Sequence, residues 1–426
     1  MKGEILYIHV PIQADVMKKK LIIKNIGPVR DVVLEFRRFN FFIGPQSSGK
    51  STIAKVFSTC NWVEKEVSTT LDEKAVKNAD AFTSLMVDFH KMDTYFHADS
   101  EIHYESDCVS IDLDGKAGLA VQIKENSEYH RQKICYIPAE RNIATLPELQ
   151  GFEFGTTNLR SFLFDWFNAR EYYTAENKSE ILNLGLRYYF DPNETKYKDR
   201  IEHDNGKTYR MPLGSASSGL QSVIPLYIMM QYYSGQYFED FDQRSSFDLN
   251  VKTRKIRRRL LEEMVLKKMF PEYDDKNSDE WLDRAVAMMQ AQNKEIISLY
   301  RDNVRALQRL TIPNRTCFIV EEPEQNLYPD TQTDLIENFV ELCSKSRKHE
   351  LTVTTHSPYI LNLLNLLFKR HDVKMESAAG LDFDETMVYA VADGGVCELK
   401  LRNAHLVDPK YLSAPIDRIY AQYESI

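Results

Sequence analysis

Two short apolar runs set the frame of this chain. Phe41 to Ile43 and Cys317 to Val320 are continuous stretches without the polar alternation of a half-exposed strand, so each is expected to be a buried strand, and a third strand is expected at Leu351 to Thr355. Residues 20–43 read as strand, turn at Gly27 and Pro28, strand, then the first of these buried strands. From 51 to about 95 the apolar spacing is mainly helical. Residues 102–138 alternate in the strand manner, with Asp114 and Gly115 as a hairpin turn. The aromatic-rich stretch 139–190 is expected to be mostly helical, and NGKTY at 205–209 marks another hairpin. MVYAVADGGVCELKL, beginning at Met387, predicts a strand pair near the end.

Between 236 and 312 helical spacing returns. Trp281, Leu282, Ala285, Met288, Met289, Ile296, Tyr300, Val304 and Leu307 recur on one face, and Asn277 with Glu280 resembles a capping box. This predicts an inserted helical lobe. It divides the chain into 1–235, the lobe 236–312, and 313–426. Residues 1–16 read either as a short extra strand or as the product of a start site placed too early.

At 426 residues, 43% hydrophobic and 27% charged, the composition is that of an ordinary globular protein. No run approaches the roughly 20 apolar residues of a membrane span. The N-terminus lacks the basic head and apolar middle of a secretion signal, so a cytoplasmic location is expected. The six cysteines lie far apart with no CxxC pair, and the ten histidines form no HxxxH or HExxH pattern, which argues for buried thiols and against a protein metal cluster. A formal charge of −9 excludes a uniformly basic nucleic-acid binder. It leaves one dense basic run, Lys252 to Arg259. That run is either a solvated face balanced by the acidic stretch at 271–280 or a nucleic-acid contact.

The chemistry starts where the first buried strand ends. Gly44, Pro45, Gln46, Ser47, Ser48, Gly49, Lys50, Ser51 and Thr52 form the pattern GxxxxGKS between that strand and a helical run, which is the context a phosphate-binding loop requires. Gly44 and Gly49 are expected to allow a tight turn that aims backbone N–H groups at a polyphosphate, and the helix presents its positive end to the same anion. Lys50 is placed to reach the β and γ phosphates, and the Ser51 hydroxyl to ligate magnesium.

The second buried strand ends in Glu321, Glu322, Pro323 and Glu324, four apolar residues followed by two acids. A carboxylate at that point can hold magnesium, and one beside it can deprotonate an attacking water. The third strand ends in His356, Ser357 and Pro358, which would lie beside the γ phosphate if this strand neighbours the other two. SASSGLQS, Ser215 to Ser222, precedes an apolar helical run and is a further phosphate-binding candidate through its N–H groups and helix dipole.

In this order GPQSSGKS, SSGLQS, FIVEEPE and TTHSP resemble the ATP-binding cassette (ABC) ATPase heads, in the non-transporter branch with the SMC, RecF and OLD families. EEPEQNLYP followed by TTHSPYI looks like the bacterial AAA-type ATPases of that branch that occur in phage-defence operons, and YIPAERN, Tyr136 to Asn142, is similar to a segment those proteins carry. The resemblance implies an α/β P-loop NTPase of the ABC head type, with the helical insertion between signature motif and Walker B. It implies ATP and Mg2+ as cofactors, Ser51 and Glu321 on the metal, Glu322 as catalytic base and His356 as the switch that senses γ phosphate. Ser218, Gly219 and Gln221 match the signature motif, which completes the ATP site of the opposite subunit, so a homodimer or higher oligomer is implied. Two departures stand out: Glu321 replaces the usual aspartate, and the signature reads SSGLQ, with Leu220 in place of a second glycine.

The stretch between signature and Walker B is too short, and broken by Pro271, for an SMC-like coiled coil. The chain after His356 is too short for a TOPRIM nuclease as well as the head's last elements. The expectation is therefore an ATPase sensor or scaffold of a bacterial defence system that controls a separate nuclease or toxin. The alternative is a RecF-like DNA-repair ATPase.

Overall fold

The computed structural model describes residues 18–115, 117–125, 127–146, 155–204, 208–243, 309–345, 348–375, 377–408 and 410–426, together with scattered positions between 262 and 288. Residues 1–16, the basic run Lys252 to Arg259 and most of the expected helical face at 282–307 lie outside this set.

A six-stranded sheet forms the centre. In chain order its members are β3 (Phe39–Ile43), β7 (Gln132–Ile137), β12 (Arg315–Glu321), β13 (Glu350–Thr355), β14 (Thr386–Ala392) and β15 (Gly395–Glu398). They lie side by side as β15-β14-β3-β13-β12-β7, all parallel except the β14–β15 hairpin. Parallel strands need crossovers that cover both faces, which explains why β3, β12 and β13 are buried along their whole length, the threonines of β13 included. The two apolar runs of the sequence are β3 and β12, the third expected strand is β13, and the final strand pair is β14–β15.

Alternate side chains of the same strands enter two cores. Phe39, Phe41, Ile43, Phe318 and Val320 pack with α3 (Asn158–Arg170), α4 (Ser218–Ser234), α6 (Pro329–Lys345) and α7 (Pro358–Asp372). Phe42, Cys317 and Ile319 face the other way, onto α1 (Lys50–Thr70) and α2 (Ala79–His90) and an antiparallel sheet. That sheet has the order β2-β1-β4-β5-β6, formed by β1 (Lys19–Ile26), β2 (Val29–Phe36), β4 (Phe96–Glu105), β5 (Val109–Asp114) and β6 (Gly118–Ile123). It matches the strands and the Asp114 turn expected from the sequence. Phe36 stacks on Phe57 at 3.7 Å between ring centroids and fastens this sheet to α1.

The stretch 139–190 is a correction. Among the described residues only α3 is a helix of any length there; β8 (Ser179–Glu180) and β9 (Leu186–Phe190) are strands, joined to β10 (Asp199–Asp204) and β11 (Thr208–Pro212) in a second antiparallel sheet. Leu186 and Tyr188 sit against the core and Arg187 pairs with Glu202, while Tyr189 and Phe190 are buried as well, so the aromatic run LRYYF shows no clean period of two. The strands flanking the expected 205–209 hairpin, β10 and β11, do pair antiparallel, while 205–207 themselves lie outside the described residues. Of the expected lobe, α5 (Gln236–Gln243) is helical, and Leu266 and Phe270 form a small cluster with Trp281 and Met288.

At the end of the sheet away from the phosphate loop lies a buried charge network. Lys19 Nζ meets Glu350 Oε2 at 2.6 Å and Asn61 Oδ1 at 2.8 Å, and Arg315 Nη2 lies 3.3 Å from Glu350 Oε1. These residues open β1, β13 and β12, with Asn61 on α1, so the network pins four elements at one point.

Candidate nucleotide site

The site is built where β3, β13 and β12 end side by side. Ile43 pairs with Thr355, and Thr354 with Glu321, so the last residues of the three strands share one edge. The phosphate loop leaves β3, the acids leave β12, and His356 follows β13. The sequence's condition for His356, that its strand adjoin the other two, is met.

In the loop, Ser47 (φ 58°) and Gly49 (φ 106°) turn the chain through the left-handed region, and α1 starts at Lys50. Gly44 serves a different purpose from the expected one. Its φ is not positive; a Cβ there would lie 2.1 Å from the backbone oxygen of Val391 on β14, so glycine is required by close approach. Lys50 is 5% exposed, and its ammonium donates to the carbonyls of Gly44 (3.0 Å) and Pro45 (2.8 Å). Burial lowers its pKa, an effect opposed by the nearby carboxylates of Glu322, Glu324 and Glu321.

Ser51 Oγ donates to Glu321 Oε2 at 3.2 Å, and the buried Tyr136 hydroxyl donates to Glu321 Oε1. Burial raises the Glu321 pKa, against hydrogen bonds from Tyr136 and Ser51. A hydroxyl and a carboxylate in contact beside a phosphate loop are the hard oxygen donors magnesium takes, so these residues fit the ion. The extra methylene of Glu321, relative to aspartate, is braced by Tyr136.

Glu322 sits in the left-handed region at φ 45°, an uncommon conformation for a side-chain-bearing residue and one that costs of order 1–3 kcal/mol. Its N–H donates to the Thr354 carbonyl at 2.8 Å, and its Oε1 lies 3.3 Å from His356 Nε2. Glu322 is about one-third exposed and His356 about one-quarter, so both face the open side of the sheet edge. Glu324 accepts from the His356 backbone N–H at 2.6 Å and thereby sets where the histidine leaves the strand. Ser357 caps α7 and donates to Gln332 at 2.6 Å.

The signature residues occupy the first turn of α4. The helix starts at Ser218 and is capped by Ser217, so Ser218, Gly219 and Gln221 lie within it rather than ahead of it. A Cβ at Gly219 would lie 2.7 Å from the Asn326 backbone oxygen, in the turn after the acids. Gln221 Nε2 donates to the carbonyls of Gly214 and Ala216, each at 3.0 Å. Among the described residues, the contacts of this turn run to the acid turn and to its own connecting segment. Ser217 and Ser218 are exposed.

Three residues of the site were not singled out from the sequence: Tyr136, Glu324 and Arg141. All stand inside strings already noted, YIPAERN and EEPE, but their partners are fixed only by tertiary structure. Arg141, on a short 3-10 helix (Ala139–Thr145), is 0% exposed. Its guanidinium donates to four carbonyls: Pro138 (3.3 Å), Ser222 (3.1 Å), Glu321 (2.8 Å) and Glu322 (2.7 Å).

A parallel sheet with a glycine loop at one strand end and an acid pair two strands away defines a mixed α/β P-loop ATPase fold. Consistent with it, residues 292–361, which include β12, the acid pair, β13 and His356, match the family model described as the AAA ATPase domain. No curated protein matches the chain. Among solved structures, the SMC head domain from Thermotoga maritima is 10% identical with a TM-score of 0.35, over 90% of this chain and 98% of that one. An SMC head domain from Pyrococcus furiosus, bound to the C-terminal domain of ScpA, is 12% identical with a TM-score of 0.36, over 91% and 97%. The recombination mediator protein RecF is 10% identical with a TM-score of 0.30, over 90% and 99%. At these values no residue role is carried from them.

Proposed function

We propose that this chain binds and hydrolyses ATP with magnesium, in a dimer whose two sites are each completed by the partner's signature turn, and that it serves as the sensor or scaffold of a bacterial anti-phage system. The observation that carries the hydrolytic reading is the convergence of Ser51 with Glu321, and of Glu322 with His356, on one edge of the central sheet.

Magnesium, held by Ser51 and Glu321, would supply charge neutralisation for the transferred phosphoryl group. Lys50 exchanges its bonds to Gly44 and Pro45 for the β and γ phosphates, an exchange of carbonyl for anionic acceptors that favours the charged ammonium. Glu322 accepts the proton of the attacking water, and His356 holds the Glu322 carboxylate in place from the neighbouring strand. The exposed Ser217–Ser218 turn offers N–H groups outward for the partner's nucleotide.

The defence role is supported by the resemblance of EEPEQNLYP and TTHSPYI to defence-operon ATPases, and it requires a separate effector, a nuclease or toxin. Among the described residues no helix is long and apolar enough to cross a membrane. The test is a mass-spectrometric inventory of proteins retained by the tagged chain in its native host, comparing wild type with Glu322→Gln. A stoichiometric nuclease or toxin is expected. Recovery of recombination proteins with nuclease-sensitive DNA would overturn the sensor reading in favour of the repair ATPase.

A further inference from the structure

Arg141 is a buried cation whose hydrogen bonds among the described residues all go to backbone carbonyls, although the carboxylates of Glu324, Glu322 and Glu321 lie near enough to favour its charge. Taking a guanidinium out of water costs several kcal/mol, and packing alone would be served by an apolar residue of similar volume. What an apolar residue cannot supply is a planar fork with donors in fixed directions. Here the fork reaches three separate places: its own turn at Pro138, the signature turn at Ser222, and the carbonyls of both acids, Glu321 and Glu322.

Two features make that connection mechanical. The first is Pro225, which lies inside α4 and has no N–H to return to the Gln221 carbonyl, so the signature turn is loosened from the rest of its helix. Its ties to the head include the Arg141 bond to Ser222, the Gln221 side chain, and the contact of Gly219 with Asn326. The second is the left-handed Glu322, strained and held from both sides, its N–H by Thr354 and its carbonyl by Arg141. A residue in such a conformation keeps it only while its surroundings impose it.

We infer that Arg141 is a positioning residue that couples the signature turn to the catalytic acid: when the partner's nucleotide docks on Ser218 and Gly219, the displacement of Ser222 is delivered through the guanidinium to the backbone of Glu322. Each site then responds to the nucleotide held in the other. This rests on the ATPase reading above and adds a route of regulation within that site. Lysine at 141 would keep the charge but lose the fork, so ATP would still bind while Glu322 would be misplaced.

The experiment is steady-state phosphate release and equilibrium ATP binding on the full chain, for wild type, Glu322→Gln, Arg141→Lys, Ser218→Ala and the Arg141→Lys/Ser218→Ala double variant. Arg141→Lys is expected to lower kcat by about 100-fold, the cost of roughly an ångström of misplacement, with KM and ATP affinity within about threefold of wild type. Because both changes interrupt one route, the double variant should turn over as slowly as the slower single variant rather than at the product of the two losses. Wild-type kcat in Arg141→Lys, or losses that multiply, would overturn the coupling. A wild type no faster than Glu322→Gln would instead overturn the ATPase reading itself. Should Arg141→Lys not fold, hydrogen exchange on Glu322→Gln decides. Segments 218–224 and 321–327 should gain protection together over one range of ATP concentration, and protection confined to one of them refutes the inference.

Discussion

Replacing Glu350 by glutamine removes one charge from a site that holds two opposite ones. Lys19 is 3% exposed, Arg315 3% and Glu350 3%, so neither cation can turn to water without opening the sheet. Burial pushes Glu350 up, but Lys19 and Arg315 more than offset it and leave its carboxyl below the usual range; for Lys19, burial acts downward and Glu350 reverses it, leaving the amine raised. The Arg315 guanidinium has no aligned hydrogen bond among the described residues, which makes Glu350 its principal support. Removing one partner of a buried pair costs about 3–5 kcal/mol. At about 2.1 cal/mol/K per residue, a chain of 426 residues has an unfolding entropy near 0.9 kcal/mol/K, so Glu350→Gln should lower the melting midpoint by about 3–6 °C. The assay is differential scanning calorimetry at pH 7, repeated across pH. A lowered carboxylate pKa gives stability that is fully present above the unfolded value of 4.5 and lost as pH falls through the folded value. The raised Lys19 keeps its share below 10.5 and loses it above. The gap between wild type and variant should therefore be constant between those limits and close on acidification. A midpoint within about 1 °C of wild type at pH 7, or a gap that widens in acid, refutes the reasoning.

Three other outcomes are expected. Glu322→Gln should lower phosphate release at least about 100-fold while ATP still binds, as loss of a general base predicts; turnover that survives the change would remove Glu322 from that role. Gly44→Ala places a methyl 2.1 Å from a backbone oxygen of β14, which can move only by parting β14 from β3; a stability loss of about 1–3 kcal/mol is expected, and added ATP should no longer raise the melting midpoint. Charge reversal across Lys252 to Arg259 should leave duplex-DNA anisotropy titrations unchanged and flat at both low and high salt, whereas a salt-sensitive affinity that the reversal abolishes would support the repair ATPase.

The parts of this molecule legible in its sequence are those whose reasons are local. A strand, a glycine loop and a helix in succession announce the phosphate loop, and an apolar run closing on Glu321 and Glu322 announces the acids, because each pattern is complete within ten residues. A residue can be marked by a local pattern while the reason it is needed lies elsewhere in the fold. Gly44 is required, yet by the carbonyl of Val391, some 350 positions later in the chain, and not by a turn. Leu186 to Phe190 form a strand and not the expected helix for a related cause: four aromatic or aliphatic side chains in five satisfy either period, and only pairing with β10 decides. Arg141, Tyr136 and Glu350 are invisible as partners in the sequence because the contacts that tie them to other elements, to Ser222, Glu321 and Lys19, span 81 to 331 residues. Yet two of these three, Arg141 and Tyr136, hold the acids at the angle and depth the sequence could only name, and Glu350 anchors the far ends of the same strands. The chemical groups are therefore specified by short motifs, while their placement to within an ångström depends on buried polar residues that no short motif contains, and substitutions there should separate ATP binding from turnover.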